Sequence, residues 1–289
     1  MKVDNVALLM YTSEPYLPIA KLSINEFNRY SEGHEISKYM VSNKIPNSKD
    51  FDNLDFSVLD ANVNLSSDSR HFAEVLIFAL EKIKEKYIIL WLEDTFVSVP
   101  IKYDNLNSLI RLMDDNEINH LSLMSYGHDW KIMDLDYTKY GLPNNLLFEM
   151  PNSYVYTFSV QPAIWKTETL LDILKHNIGI SLHEFDTSNV KNKLGDKRGG
   201  DRGDGYINTP EGFWDYNISH TCFKRTFETT QYCFDDRPIE GDYFLFLYSG
   251  AIRGGKFDFG THNNTRIYIK KFLEENNITN EHPEYKNFF

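Results

Sequence analysis

The run Tyr87-Ile88-Ile89-Leu90-Trp91-Leu92-Glu93-Asp94-Thr95-Phe96-Val97 divides into two parts of opposite chemistry. Its first part is an unbroken series of β-branched, aromatic and leucine residues, which suits a strand buried on both faces inside a parallel sheet. Two adjacent carboxylates then stand where the apolar series stops. Acidic side chains are seldom buried unless they are paired or bound to a cation. In open α/β sheets the ligand crevice lies just beyond the carboxyl ends of the strands. Glu93 and Asp94 are therefore expected to project into such a crevice; the alternative is a solvated turn with no ligand.

On the amino side of this run, Phe72, Val75, Leu76, Ala79, Leu80 and Ile83 recur at i, i+3, i+4, i+7 spacing. That pattern predicts a helix starting near Arg70 and leading into the strand. Further back, Val6 to Met10 reads as a first buried strand ending in Tyr11-Thr12-Ser13. Pro15 and Pro18 then open a helix with Ile19, Leu22 and Phe27 inward and Ser13 as its N-cap. Lys38 to Ser42 and Phe56 to Asp60 read as a second and third strand, the third again ending in a carboxylate. Strands alternating with helices predict a Rossmann-like α/β chain, its central sheet mostly parallel and flanked by helices.

On the carboxyl side, a helix over Asp104 to Asn116 precedes a strand at Leu121 to Met124, and Tyr126 to Pro151 reads as irregular. Tyr154 to Val160 alternates as a half-exposed strand does. It runs through Gln161-Pro162-Ala163-Ile164-Trp165 into a helix carrying Leu170, Leu171, Ile173 and Leu174. Gly195 to Gly212, rich in Gly, Asp and Arg, reads as a mobile loop. An aromatic strand at Tyr243 to Tyr248 and a last helix over Thr265 to Glu275 complete the chain. The Gly195 to Gly212 stretch contains no second hydrophobic core, so the 289 residues are expected to form one domain.

A net charge of −12 excludes general affinity for nucleic acid or anionic membranes. The 18 tyrosines and 20 phenylalanines suit a pocket that stacks rings or sugars. Cys222 and Cys233 are too few for a disulfide framework or a cysteine zinc site. With no signal-peptide core and no run of transmembrane length, a reduced cytoplasmic protein is expected.

The order of these features resembles glycosyltransferases of the GT-A fold. The features are Tyr11-Thr12 at the first strand end, Ser69-Arg70 before the helix, Trp91-Leu92-Glu93-Asp94, and Ser159 to Trp165. They are completed by His183-Glu184-Phe185-Asp186 and, much later, Arg253-Gly254-Gly255-Lys256. The resemblance implies a nucleotide-binding half over residues 1–125 and an acceptor-side half over 126–289. It implies transfer of a sugar from a nucleotide diphosphate donor, UDP- or GDP-linked, to a glycan or other hydroxyl acceptor, with inversion favoured.

In that family an Asp-x-Asp motif holds Mn²⁺ or Mg²⁺ against the donor diphosphate. Here Glu93-Asp94-Thr95 departs from it. The resemblance implies Asp94 as metal ligand and Glu93 as its support or a ribose contact. Glu184 is implied as the base that takes the acceptor proton, with Asp186 as its rival. Tyr11, Thr12, Asp60, Arg70 and Lys256 are implied donor contacts, the cations facing the diphosphate. A non-catalytic nucleotide- or sugar-binding protein with a degenerate site is the alternative. A sugar-phosphate nucleotidyltransferase would want a glycine-rich basic loop after the first strand, which Tyr11 to Pro15 lacks.

Overall fold

In a computed structural model the described residues are 2–31, 35–63, 71–97, 101, 103–126, 133–142, 146–149, 162–178, 219–224, 248–250, 252–253, 256–257 and 270–289. The run that opens the sequence argument forms β4 (Tyr87–Leu92), and its five leading residues are buried. On one side β4 pairs in parallel with β1 (Lys2–Thr12), which continues to β2 (Glu35–Ser42) and β3 (Ser57–Asp60), also parallel. On the other it pairs antiparallel with β8 (Ala163–Lys166). Beyond β8 come β6 (Ile118–Tyr126), β9 (Ser219–Lys224) and β7 (Leu147–Glu149). The eight-stranded order is β3-β2-β1-β4-β8-β6-β9-β7, a mixed, mostly parallel sheet in its amino-terminal half.

Alternation along β1 and β4 divides the core. Val6, Leu8 and Met10, with Tyr87, Ile89 and Trp91, face α1 (Leu17–Tyr30) and α3 (Tyr103–Asp115). Ala7, Leu9 and Tyr11, with Ile88 and Leu90, face α2 (Phe72–Leu80) and α4 (Thr167–Lys175). Both faces of each strand are covered, which is why neither shows a polar/apolar alternation in sequence. The architecture is a Rossmann-like α/β sheet with helices on both faces.

After β4 a two-residue turn at Glu93-Asp94 leads into β5 (Thr95–Val97). β5 leaves the main sheet and pairs antiparallel with β10 (Tyr248–Gly250). A separate hairpin joins β11 (Ile252–Arg253) to β12 (Lys256–Phe257). Phe96 of β5 packs edge-on against Phe272, ring centroids 4.8 Å apart. Around it Ile19 and Leu22 of α1 meet Phe257, Leu273, Ile278, Tyr285 and Phe288. Helix α1 is thus held between the sheet and the carboxyl-terminal residues.

Several expectations are corrected. Ser13 does not cap the long helix: a 3-10 turn over Glu14–Tyr16 intervenes, Ser13 makes no side-chain cap bond, and α1 begins at Leu17. The stretch read as irregular contains a 3-10 turn at Tyr137–Tyr140 and β7. Ala163-Ile164-Trp165, read as a lead-in to a helix, is a strand paired on both sides, with Trp165 buried in the core. The last helix is seen over residues 270–275. The strand expected at 154–160 and the loop at 195–212 lie outside the described residues.

Candidate functional site at the carboxyl rim

Strands β1, β2 and β3 advance in one direction across the sheet, and β4 then takes its place on the other side of β1. The order therefore reverses between β1 and β4, the position at which open α/β sheets form their ligand crevice. The residues emerging there are Thr12 and Ser13 from β1, and Glu93 and Asp94 from β4.

Register fixes how these groups are arrayed. Thr12 pairs with Ser42, and Ser42 with Asp60. Tyr11 pairs with Leu92, so Glu93 leaves the sheet level with Thr12. At about 4.8 Å between strands, the row Asp60–Ser42–Thr12–Glu93 is about 14 Å across. Thr12 and Ser42 are fully buried, whereas Asp60 is exposed and its Oδ1 accepts the Asn62 backbone N–H at 2.9 Å. Asn62 adopts φ +52°, which an asparagine tolerates in such a turn.

The acidic turn is partly buried. Burial first, and then the neighbouring Asp94 carboxylate, push Glu93 well above the ordinary carboxylate range. Thr95 is buried in β5, where its Oγ1 donates to Asp94 Oδ1 at 3.4 Å and its carbonyl accepts the Ser23 hydroxyl at 2.9 Å. Thr95 is thereby fixed as a support for Asp94. Two tyrosines feel the same charge. Burial, and then Glu93, raise the Tyr11 phenol above its ordinary range; burial, followed by Glu93 and Asp94, does so for Tyr16. Tyr11 packs edge-on against Phe72, 4.9 Å between centroids, which brings the start of α2 against the end of β1.

Of the residues expected at the site, Tyr11, Thr12, Glu93 and Asp94 come together at the β1/β4 junction, with Asp60 two strands away. Lys256 sits on the β11/β12 hairpin, exposed, and its ammonium donates to the Phe289 carbonyl at 2.8 Å. Arg70, Glu184 and Asp186 lie outside the described residues, Arg70 adjoining His71 at the head of α2. Sequence reasoning missed Tyr16 and Asn43. Nothing separates Tyr16 from a packed aromatic in sequence, and Asn43 reads as one more turn asparagine.

Magnesium-like cations accept one or two protein carboxylates and complete their shell with water and phosphate oxygens. The Glu93-Asp94 pair fits that demand, with Asp94 the more exposed to charge assistance from Thr95. Among the described residues no three His, Cys, Asp or Glu groups converge into a self-sufficient metal cage. A cavity of about 640 Å³ lies elsewhere, lined by Lys86, Tyr87, Asp114, Ile118, Lys166 and Asp172 among others. Tyr87 and Ile118 begin their strands, so this cavity opens at the opposite edge of the sheet from the acidic turn.

The class defined so far is a Rossmann-like α/β protein with a polar, acidic rim at its switch point. No family model and no curated protein matches the chain. Among solved structures it is similar to S. aureus TarS, at 14% identity and TM-score 0.38 over 64% of this chain and 33% of that one. A TarS 1-349 structure in complex with UDP-GlcNAc gives 13% and 0.38, covering 75% and 64%. The mannosyltransferase PcManGT from Pyrobaculum calidifontis, in complex with GDP-Man and Mn²⁺, gives 12% and 0.36, covering 58% and 46%. The bifunctional IspDF from Campylobacter jejuni gives 17% and 0.34, covering 60% and 44%. The matched region thus spans a third to just under two thirds of the length of those chains, and each likeness is distant. No described helix is long and apolar enough to cross a membrane.

Proposed function

We propose that the chain is a nucleotide-sugar glycosyltransferase of the GT-A type, using a divalent cation and inverting the transferred sugar. The observation that carries this reading is the Glu93-Asp94 turn at the switch point between β1 and β4. The Asp94 carboxylate, with Glu93 beside it, faces a diphosphate unfavourably unless a cation intervenes. Bound there, Mn²⁺ or Mg²⁺ would neutralise charge on the departing diphosphate. Asp94 would hold the cation, and Glu93, made reluctant to ionise by its surroundings, would support it or contact the ribose. Tyr11 and Thr12, buried at the end of β1, would meet the donor through backbone groups, Asp60 would accept hydrogen bonds from base or ribose, and Arg70 would face the diphosphate.

In the transfer itself the acceptor hydroxyl oxygen attacks the anomeric carbon while the bond from that carbon to the β-phosphate oxygen breaks. The hydroxyl proton passes to a carboxylate, Glu184 or its rival Asp186, and the nucleoside diphosphate departs. A glycan or other hydroxyl compound serves as acceptor in this reading, in the cytoplasm. Thr95 favours a second reading: with a hydroxyl where the family has its last acid, the site would bind a nucleotide without catalysis.

One experiment separates the two. Thermal unfolding is followed with UDP, GDP and their sugars, with and without Mn²⁺, and donor consumption is measured with a panel of glycans. Ligands that bind only the native state raise the melting point. A shift that requires Mn²⁺, together with donor turnover, is expected. Metal-independent binding without any donor cleavage would leave the binding-protein reading instead.

A further inference from the structure

Asn43 follows β2 directly, is only 2% exposed, and directs its hydrogen bonds to neighbouring strand ends. Its Oδ1 accepts the Glu14 backbone N–H, in the turn after β1, at 2.9 Å. Its Nδ2 donates to the Val63 carbonyl, in the turn after β3, at 3.4 Å, and its own carbonyl accepts the Val63 N–H at 2.7 Å. Ser42 adds a carbonyl that accepts the Ala61 N–H at 3.0 Å and a hydroxyl that donates to Lys44 O at 3.1 Å. The Lys44 ammonium in turn lies 3.5 Å from Glu14 Oε1. Three loops at the carboxyl rim therefore meet on one buried amide.

The chemistry of the position is restrictive. One side-chain atom must accept from a backbone N–H while the other donates to a backbone carbonyl, so the amide orientation is determined and a carboxylate cannot substitute. A buried amide retained where an apolar residue would pack needs its partners, since leaving one unpaired costs more than the bond contributes. The two loops it joins are those that leave the sheet directly after Thr12 and Asp60.

We infer that Asn43 is a positioning residue that sets the separation of the β1 and β3 loops, and thereby the affinity of the crevice for the nucleoside part of a nucleoside diphosphate. This rests on the rim being the donor site. It requires no contact between Asn43 and the ligand. Moving either loop by a fraction of an ångström displaces groups that must meet base and ribose together.

The test uses the full chain and titrates UDP and GDP, each with Mn²⁺, by calorimetry. Asn43→Asp keeps the acceptor but turns an oxygen toward the Val63 carbonyl; Asn43→Ala removes both bonds and serves if the first variant does not fold. Asn28→Ala is the control: it deletes an amide that donates to the Leu54 carbonyl (2.6 Å) ahead of β3 and accepts from the Lys38 ammonium (3.0 Å), away from the rim. The Asn43 variants are expected to weaken nucleotide binding about tenfold. In turnover the donor KM should rise while kcat stays within about twofold. Asn28→Ala should lose melting temperature without losing affinity. If wild type binds and the Asn43 variants bind equally well, the positioning role is wrong and the site survives. If wild type binds neither nucleotide, the donor-site reading itself fails, and this inference falls with it.

Discussion

Tyr11 on β1 stands directly opposite Leu92 on β4, across the junction where the order of the parallel strands reverses. Thr12 and Glu93 take their places from that pairing, each one residue further on. A slip of one residue would exchange the faces of β4 and send Trp91 toward α2. The register is therefore fixed by the core and handed to the site.

Asp94 tests the chemistry most directly. It is partly exposed in a turn, and it accepts a hydrogen bond from the Thr95 hydroxyl at 3.4 Å. Asp94→Ala is expected to cut sugar transfer by a factor on the order of a hundred or more, as loss of a group that stabilises transition-state charge does. Unfolding free energy should change by no more than about 1 kcal/mol. Activity and urea unfolding are measured on the same preparation. Turnover within a few-fold of wild type, with the fold intact, would refute the assignment of the turn as a cation site.

Trp91 ends the buried part of β4, fully enclosed, with its ring 5.0 Å from Phe27 of α1. Trp91→Ala is expected to cost about 3–5 kcal/mol, the range for emptying a large aromatic site in a packed core. Equilibrium denaturation gives the value. A loss under about 1 kcal/mol would mean that β4 is not the centre of the sheet.

How much of this was legible in the sequence depends on which force shapes each element. β1, β4 and α2 are set by burial alone, through unbroken apolar runs or helical spacing, and both patterns are visible residue by residue. β8 is not, because four residues straight after Pro162 and straight before a helix leave no room for a period to repeat. Its strand character comes from pairing with β4 and β6 on either side, and that is a property of the assembled sheet. β7, three residues long, escapes for the same reason. At the site, acids that interrupt an apolar run stand out, so Glu93 and Asp94 were readable. Asn43 was not: its two partners lie 29 and 20 residues away, and only the folded chain brings them together.

Glu26 on α1 supplies a pH test away from the rim. It is 5% exposed, and Arg29 Nη1 lies 3.6 Å from its carboxylate and 3.5 Å from that of Glu275. Burial raises its pKa above the ordinary glutamate value of 4.5, and the arginine opposes this incompletely. A carboxyl that titrates higher in the folded than in the unfolded state binds more protons when folded. Its contribution to stability is thus complete below about pH 4.5 and is lost as pH rises through the folded value. Glu26→Gln mimics the protonated form. Its melting temperature, relative to wild type, should climb as pH rises above about 4.5 and level off once the folded-state carboxyl has ionised. A difference that is flat, or that falls with pH, would contradict the direction of the shift.

The carboxyl-terminal residues hold α1 by two kinds of contact whose strengths should differ widely. Lys21 Nζ meets Glu284 Oε1 at 3.0 Å on a partly exposed surface, and exposed pairs of this kind contribute about 0–1 kcal/mol. Phe272 is buried against Phe96, and truncating it leaves a void at the base of β5. Phe272→Ala is expected to cost about 3–5 kcal/mol, and Lys21→Met less than about 1 kcal/mol. Because Phe96 lies two residues beyond Asp94, Phe272→Ala should also weaken Mn²⁺-dependent nucleotide binding, whereas Lys21→Met should not. Parallel denaturation and calorimetric titration of the two variants decide the point. If the ion-pair variant proved the more damaging in both, the carboxyl-terminal residues would be held by charge, and the aromatic cluster behind the acidic turn would have no part in shaping it.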